Sequence, residues 1–539
     1  MNKSLTKSNN PKLLNRIGEI LTEARRYTVH TVNTILVKTY WEIGKEIVEH
    51  ELGGKTRAEY GKEFLKNLSR DLTVQYGKGF SYPNLRRMCQ FYNEYEILST
   101  VSREFKNEKN FIQYNSVKLL LLSLVLIFSA CSSSKLTVSP TNGEYDFVSE
   151  KSVEYETFWE AIENLDFDYL SEKTLNDDQQ QFYEALSSVV DGDIDTAVTQ
   201  FQNLYNNSTD SLIQKHSEEI ISKLYFLQSN WEKILELDKK SNNNLELEND
   251  IILFEAFSKS PKESFLFPSQ PTIIPMDPVF FGSNPMIEVI VNGHKKKFWI
   301  DTGAGLSVVS SDVAEECNIF PIGTEKTTAG TGTNKRVSIQ PAIIENLQIG
   351  ELLIKNHPVV IVDKSDLEFK LFGLLRILKI DGIIGWPAIQ NMKIEIDYKN
   401  KRTIIEKPIK IETTDRNFFW LGFPIVKLKT PDGKNLNFGL DTGANKTSIH
   451  KNILKKINIE NGYDKKITHW SAGGFEKTET KIVPNLSFIL NGNVLHFKVI
   501  RISLQKGIVF VKSDGQLGID IAQDRSIIID YQNGRFELH

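Results

Sequence analysis

The stretch FWIDTGAGLSVV, residues 298–309, places an aspartate and a glycine between two apolar runs. The apolar runs predict two buried strands, and Gly303 lets the backbone turn sharply between them. A carboxylate at the end of a buried strand is costly unless it faces water or has a partner. Asp301 is therefore a candidate functional residue.

The same pattern recurs further along the chain, where NFGLDTGANKTSI, residues 437–449, places Asp441 in the position of Asp301. Each copy continues through a glycine-containing segment that predicts a hairpin, an apolar run closed by a glycine, and a strand-turn-strand ending. These segments are TTAGTGTNKR (327–336) and HWSAGGFEKT (469–478), GIIGWPAI (382–389) and GQLGIDIA (515–522), and KIEIDYKNKRTII (393–405) and SIIIDYQNGRFEL (526–538). The same four sequence features therefore occur twice in the same order, which indicates a duplicated β-domain.

These residues resemble the retropepsin-like aspartic protease family, in which two lobes each contribute one Asp-Thr-Gly loop. The resemblance implies lobes at residues 270–410 and 411–539, with Asp301 and Asp441 as a catalytic dyad that shares one proton and activates a water molecule to hydrolyse a peptide or protein substrate. It implies no metal and no cofactor.

The resemblance also assigns supporting roles around the dyad. The residues implied to brace, turn or pack beside the loops are Thr302, Gly303, Thr442, Gly443, Gly385 and Gly518. The residues implied to lie in hairpin flaps that close over an extended peptide are Gly330, Gly332, Gly473 and Gly474. Gln516 departs from the family pattern, which has an apolar residue at that position.

Two alternatives stay open at this stage. The Asp-Thr-Gly turns are also compatible with a duplicated β-domain that keeps them only as turns, or that pairs with other chains. A non-catalytic lipoprotein that binds peptides or proteins is the corresponding alternative function.

An apolar segment inside the chain predicts a membrane anchor. NSVKLLLLSLVLIFSACSSS, residues 115–134, joins Lys118 to an apolar run and ends at Cys131 after small residues. It resembles a bacterial lipoprotein signal, here assigned to residues 117–131, although Phe128 replaces the usual leucine. The resemblance implies a cell-envelope protein anchored to membrane lipid through Cys131, or a cytoplasmic protein if the signal is not used. A buried core helix is the alternative.

Because such a signal normally begins a protein, we expect residues 1–116 to have a different origin, by gene fusion or a misassigned start. Residues 1–110 predict an all-α domain, with Ile43 and Ile47 on the apolar face of an amphipathic helix and Pro83 in the first turn of another. YWEIGKEI (40–47), LSRDL (68–72) and GFSYPNLRRMCQFY (79–92) resemble the helical N-terminal domain of YhcG-like PD-(D/E)XK nucleases.

The nuclease module of that family is not found here, so the resemblance does not imply nuclease activity. Contact with nucleic acid, if the N-terminal domain is retained, would involve the basic residues Lys62, Lys66, Arg86 and Arg87. A solvated basic face explains these residues equally well.

Residues 140–265 predict an α-helical region that resembles tetratricopeptide (TPR) repeats. Turns at Gly192-Asp193 and Ser229-Asn230 each separate two helical patterns, at a spacing near the TPR period. Two interpretations of this region stay open: it binds a protein partner, or its helices only pack against one another.

The composition is typical of a chain that folds into several globular domains. The chain has 539 residues, of which 40% are hydrophobic and 25% charged, and its formal net charge of −4 gives no overall attraction to nucleic acid. Three cysteines with no metal-ligand spacing argue against a zinc site or a disulfide framework. The predicted architecture is therefore an all-α N-terminal domain, a TPR-like helical middle and an all-β two-lobed C-terminal half.

Overall fold

The computed structural model of the protein describes most of the chain from residue 153 onward and parts of the sequence before it. The described residues are 40, 43–44, 46–48, 58–76, 80–94, 137–140, 153–241, 250–277, 284–331, 336–371, 375–411, 416–459, 462–471, 474–503, 511–522 and 525–539. They divide into two compact units, one within residues 1–132 and 369–378 and the other within 133–368 and 379–539.

The first unit is helical over the described residues before position 95. Helix α1 spans Ala58–Tyr76, and helix α2 spans Tyr82–Glu94 with Pro83 in its first turn, as predicted. Ile43 and Ile47 are helical and completely buried in the apolar core of this unit. The amphipathic pattern around them therefore reflects packing.

The second unit contains a helical region ahead of its two lobes. Its helices are α3 (Phe158–Glu163), α4 (Phe167–Ser171), α5 (Asp177–Val190), α6 (Ile194–Asn207), α7 (Ser211–Leu227), α8 (Trp231–Lys240) and α9 (Ile251–Ser258). Both predicted turns are confirmed. Asp193 caps α6 by accepting a hydrogen bond from the N–H of Thr196 (3.3 Å), and Asn230 caps α8 by accepting one from Lys233 (3.4 Å). The TPR-like description of the helices stays a prediction.

The two lobes are built from β-strands. The strands that pair within and beside lobe 1 are β2 (Ser264–Leu266), β3 (Thr272–Pro275), β4 (Met286–Val291), β5 (His294–Ile300), β6 (Ser307–Ser310), β7 (Thr327–Gly330), β8 (Arg336–Ile349), β9 (Leu352–Val362), β12 (Gly382–Ile384), β13 (Lys393–Asp397) and β14 (Arg402–Glu406). Strands β10 (Glu368–Leu371) and β11 (Leu375–Lys379) pair with each other in a separate two-stranded sheet, and residues 369–378 belong to the first unit. Two short helices, α10 (Ser311–Glu316) and α11 (Trp386–Ile389), complete this lobe.

The strands that pair within and beside lobe 2 are β1 (Thr137–Pro140), β15 (Phe418–Trp420), β16 (Pro424–Lys429), β17 (Asn435–Leu440), β18 (Ser448–His450), β19 (Tyr463–Ser471), β20 (Gly474–Leu490), β21 (Asn493–Ser503), β22 (Gly515–Leu517), β23 (Ser526–Asp530) and β24 (Arg535–Leu538). The two predicted hairpins are confirmed as the antiparallel pairs β7–β8 and β19–β20.

The two lobes repeat one sheet topology. In lobe 1 the strand order is β2-β9-β6-β12-β5-β4-β8-β7, and a further pairing of β8 with β9 closes the sheet into a barrel. In lobe 2 the order is β1-β21-β18-β22-β17-β16-β20-β19, with β20 and β21 closing it. The two orders correspond strand for strand, so the duplication read from the sequence is present in the fold. The first strand in each order lies outside its lobe in the sequence. Strand β2 directly precedes lobe 1, whereas β1 lies well ahead of lobe 2.

A separate antiparallel sheet joins the lobes, in the order β24-β23-β13-β14-β3. Its central pair is β13 of lobe 1 with β23 of lobe 2, where Ile394 lies opposite Ile529. The two strand-turn-strand endings recognised in the sequence therefore meet in one sheet. Apolar packing continues across the joint, because Trp386 makes edge-to-face contacts with Phe418 (5.8 Å between ring centres) and Tyr531 (5.3 Å).

A buried ion pair holds the helical region to lobe 2. The Nζ of Lys456 lies 2.9 Å from Oδ2 of Asp514 and donates a hydrogen bond to the carbonyl oxygen of Asn164 (3.2 Å), between α3 and α4. The side chains are only 2% and 0% exposed. Burial raises the pKa of Asp514, and the charge of Lys456 opposes that rise. The neighbouring Lys455 forms an exposed ion pair with Glu160.

These two lysines predict different costs of truncation. Lys456→Ala should lower the free energy of unfolding by about 3–5 kcal/mol, because it leaves the carboxylate of Asp514 buried without its partner. Lys455→Ala should cost less than about 1 kcal/mol, because its ion pair is screened by water. Urea unfolding of both variants measures the difference, and equal losses would contradict the assignment.

Candidate active site

Each Asp-Thr-Gly loop begins where a strand ends beside a parallel neighbour. Strand β5 pairs in parallel with β12, and the N–H of Asp301 donates to the carbonyl oxygen of Ile384 (3.0 Å). In lobe 2, β17 pairs in parallel with β22, and the N–H of Asp441 donates to Leu517 (3.0 Å). The two aspartates therefore leave their sheets at equivalent points.

The two loops are braced by their threonines. The hydroxyl of Thr302 donates to the carbonyl oxygen of Leu440 (2.8 Å) and accepts the N–H of Thr442 (3.0 Å). The hydroxyl of Thr442 donates to the carbonyl oxygen of Ile300 (2.8 Å) and accepts the N–H of Thr302 (3.0 Å). Both threonines are 1% exposed. Four buried backbone groups are satisfied by side chains of the opposite lobe.

The two carboxyl groups approach each other between the loops, each lying against the glycine of the opposite loop. Oδ1 of Asp301 accepts the N–H of Gly303, and Oδ1 of Asp441 accepts that of Gly443, each at 2.8 Å. A β-carbon at residue 443 would lie 2.5 Å from Oδ2 of Asp301, and one at residue 303 would lie 2.8 Å from Oδ1 of Asp441. Glycine at both positions is therefore what allows the approach.

Burial is the main influence on how these carboxyl groups titrate. It raises the pKa of Asp301 and that of Asp441, and the charge of Asp301 raises the pKa of Asp441 further. Two adjacent carboxylates cannot both carry a charge at low cost, so the pair retains one proton to a higher pH than a free aspartate. Both residues keep part of their surface accessible, so water can reach them.

The glycines that follow β12 and β22 are anchored by hydroxyl groups. The N–H of Gly385 donates to the hydroxyl of Ser307 (3.0 Å), which also contacts Nε2 of His357 (2.7 Å). Nδ1 of His357 in turn lies 2.5 Å from Oε1 of Glu263. Ser307 and His357 are buried, at 1% and 0% exposure, so this series of contacts supports the loop from inside the lobe.

In lobe 2 the equivalent glycine is anchored by different residues. The N–H of Gly518 donates to the hydroxyl of Thr447 (3.1 Å), and that hydroxyl donates to Oδ1 of Asp520 (2.7 Å). Gly385 and Gly518 thus occupy equivalent places in the two lobes.

Two contacts to the loops were not predicted from the sequence. Asn284, just ahead of β4, donates through Nδ2 to the carbonyl oxygen of Gly443 (2.6 Å) and so ties lobe 1 to the loop of lobe 2. Gln516 donates through Nε2 to Oδ2 of Asp441. No sequence pattern marks Asn284. Gln516 was visible as a departure from the family pattern, but its partner was not.

The remaining predicted site residues are placed only in part. Gly330 ends β7 and Gly474 begins β20, whereas Gly332, Gly473 and the lipidation candidate Cys131 lie outside the described residues. Within the described part of the chain, no cluster of three histidine, cysteine or acidic side chains is arranged to hold a metal ion.

Among the helices that the structure describes, none combines the length and the apolar character needed to span a membrane.

Two stretches of the chain match known protein families. Residues 16–121 match the family described as "DUF1016 N-terminal domain". Residues 287–377, which include Asp301, match the family described as "gag-polyprotein putative aspartyl protease". Both predicted resemblances are confirmed for these residues. Most of lobe 1 is therefore related to aspartyl proteases at the level of the family. The lipoprotein signal stays a prediction.

Two individual proteins are similar to parts of the chain. The protein named "Putative nuclease YhcG" from Escherichia coli (strain K12) is 46% identical over 91 residues, which are 16% of this chain and 24% of that protein. The chain thus spans about a quarter of the length of that relative. The crystal structure of a retropepsin-like aspartic protease from Rickettsia conorii is 20% identical, with a TM-score of 0.20, and the match covers 27% of this chain and 96% of that one.

The threonine brace predicts equal losses from the two lobes. Thr302→Val should lower the free energy of unfolding by about 1–3 kcal/mol for each backbone group that it leaves unsatisfied, and Thr442→Val should do the same. Thr302→Ser and Thr442→Ser keep the hydroxyl and serve as controls. Urea unfolding measures all four variants. A valine variant as stable as its serine counterpart would show that the brace contributes nothing.

Proposed function

We propose that residues 270–539 form an aspartic-type peptidase whose catalytic dyad is Asp301 and Asp441. The observation that supports this most is the threonine brace, which brings two carboxyl groups from different lobes close together within one chain. The family match over residues 287–377 supports the same class of activity. A pair of turns without a catalytic role has no need for two raised carboxyl pKa values at one point.

The chemistry follows from the shared proton. The ionised aspartate takes a proton from a water molecule, and the resulting hydroxide adds to the carbonyl carbon of the substrate. The protonated aspartate donates its proton to the carbonyl oxygen, so no isolated oxyanion forms. The dyad then gives a proton to the amide nitrogen. As the C–N bond breaks, a hydroxyl of the tetrahedral intermediate returns its proton to the dyad, which again holds one proton. These steps use only the two carboxyl groups and water.

An extended peptide or protein segment is the substrate that the fold favours. The hairpins β7–β8 and β19–β20 offer strand edges, and an extended peptide binds such edges by main-chain hydrogen bonds. We assign the flap role to the ends of these hairpins, with Gly330 and Gly332 in lobe 1 and Gly473 and Gly474 in lobe 2. Specificity would then come from the side chains beside the dyad.

The proposal includes a lipid anchor at Cys131, which the family resemblance of residues 117–131 supports. The enzyme would act at a membrane surface, with the helical region available to a protein partner. Nuclease activity is not proposed, because the similarity to the nuclease relative is confined to 24% of that protein.

Each aspartate should be needed for cleavage of a mixed peptide library. Asp301→Asn and Asp441→Asn should each lower kcat/KM by about 10²–10⁴-fold, because each removes one partner of the proton exchange. Asp432→Asn, at a turn of lobe 2, is the control and should keep full activity. Loss in only one of the two dyad variants would contradict a shared site.

The same variants report on folding. Because the folded pair has raised pKa values, it binds protons more tightly than the unfolded chain does. Its contribution to stability is complete below the unfolded pKa of about 4 and is lost as the pH rises through the folded values. Asp441→Asn should therefore unfold at a higher temperature than the natural protein at pH 7, and the gain should shrink towards pH 3.

The anchor makes a separate prediction. Expressed in a bacterium with its natural start, the protein should sediment with membranes and incorporate labelled palmitate, and Cys131→Ser should abolish both. Cys317→Ser, at a buried thiol of lobe 1, is the matched control and should change neither. A wild-type protein that stays unlabelled and in the supernatant contradicts the anchor without affecting the peptidase proposal.

A further inference from the structure

Gly385 lies between two backbone hydrogen bonds that hold the loop of Asp301. The carbonyl oxygen of the residue before Gly385 accepts the N–H of Asp301 (3.0 Å), and the N–H of the residue after it donates to the carbonyl oxygen of Ala304 (2.8 Å). The N–H of Gly385 itself donates to the hydroxyl of Ser307 (3.0 Å). That hydroxyl therefore holds the peptide whose two neighbours hold both ends of the loop.

The hydroxyl of Ser307 needs an acceptor for its own proton. Besides Gly385, its only hydrogen-bonding partner among the residues that the structure describes is Nε2 of His357 (2.7 Å). Ser307 is 1% exposed and His357 is completely buried, so bulk water does not replace this partner. A buried hydroxyl without an acceptor is costly. The hydroxyl is satisfied if Nε2 accepts its proton, and an accepting ring nitrogen carries none.

The equivalent hydroxyl in lobe 2 has the same need and meets it directly. Thr447 lies six residues after the aspartate of its loop, as Ser307 does in lobe 1. Its hydroxyl accepts the N–H of Gly518 (3.1 Å) and donates to Oδ1 of Asp520 (2.7 Å). An ionised carboxylate is always an acceptor, whereas each nitrogen of an imidazole is a donor or an acceptor according to the tautomer. Lobe 1 therefore needs a group that fixes the tautomer of His357.

Glu263 provides such a group. Its Oε1 lies 2.5 Å from Nδ1 of His357, and its side chain is 12% exposed. A carboxylate at this place accepts a proton from Nδ1, and a neutral imidazole with its proton on Nδ1 leaves Nε2 free to accept. We propose that Glu263 and His357 are positioning residues, which orient the hydroxyl of Ser307 and through it hold the loop of Asp301 in its catalytic geometry. This inference rests on the proposed function for its catalytic consequence.

Glu263 comes from outside lobe 1. It lies in the short connection between α9, which ends at Ser258, and β2, which begins at Ser264. Strand β2 pairs with β9, the strand that contains His357. Glu263 also precedes residues 287–377, over which the chain matches the aspartyl protease family. A residue of the segment that connects the helical region to lobe 1 thus completes the support of the loop.

Nitrogen NMR of the full chain, labelled with ¹⁵N in its histidine rings, tests the assignment without substrate. The protein has nine histidines, so His357→Gln is used to identify the signals of this ring. At neutral pH the natural protein should show a proton on Nδ1 and none on Nε2. Glu263→Leu removes the carboxylate and should move the ring towards the other tautomer. A proton on Nε2 in the natural protein overturns the proposal, and so does a tautomer that Glu263→Leu leaves unchanged.

Peptide cleavage tests the catalytic consequence. His357→Gln keeps an acceptor oxygen for the hydroxyl of Ser307, whereas His357→Leu removes it. Both variants remove the imidazole beside Glu263, so the difference between them reports on the acceptor. His357→Leu should lower kcat by about 10–10²-fold with KM little changed, because the loop positions the carboxyl group of Asp301 and not the strand edges that bind substrate. His357→Gln should recover most of kcat. Equal losses in the two variants, or a loss confined to KM, overturn the proposal.

A second pair of variants makes the same comparison if His357→Leu does not fold. Ser307→Ala removes the hydroxyl and should lower kcat, whereas Ser307→Thr copies the residue of lobe 2 and should keep most of it. Equal kcat values in these two variants overturn the proposal.

The two kinds of measurement separate this inference from the peptidase proposal. If the natural protein cleaves no peptide but shows the expected nitrogen signals and their change in Glu263→Leu, the arrangement of Glu263 and His357 is supported and the proposed function alone fails. If the natural protein cleaves peptides and His357→Leu keeps its full kcat, the inference is overturned and the proposed function stands.

Discussion

The mutual hydrogen bonds of two buried threonine hydroxyls are the contact on which the rest of the site depends. Each hydroxyl enters the opposite lobe and satisfies backbone groups that would otherwise be buried without partners. The bonds fix the separation of the loops more tightly than apolar packing alone, because hydrogen bonds are directional. The aspartates next to them are consequently held together, although two charged carboxylates would repel each other at this point.

This arrangement needs support from the whole second unit. The sheet in which β13 pairs with β23 fixes the orientation of the lobes, and Trp386 with its aromatic neighbours fills the space beside it. The hydroxyls of Ser307 and Thr447 then hold the glycines next to the loops. The energy that keeps two carboxyl groups in contact is therefore distributed over sheet pairing, packing and buried polar contacts.

The sequence predicted the parts of this structure that repeat along the chain. The two Asp-Thr-Gly segments, the hairpins and the paired endings share one order, and the fold follows that order. The contacts of Asn284, His357 and Glu263 were not predicted, because each joins positions far apart in the sequence and leaves no periodic pattern. The same holds for β1, a short segment well ahead of lobe 2 that extends its sheet. The turns between helices were predicted correctly, because a capping residue and the helix that it caps are neighbours in the sequence.

Both lobes belong to one polypeptide and are joined by the β13–β23 pair. Substitutions can therefore accumulate in one lobe without appearing in the other. In an assembly of two identical subunits every substitution appears on both sides of the cleft, so neither side can specialise. Here the glycine beside one loop is held by a serine and a histidine, and its counterpart by a threonine and an aspartate. A tandem gene thus permits a cleft with a left and a right side, and with it a preferred direction for the chain that lies there.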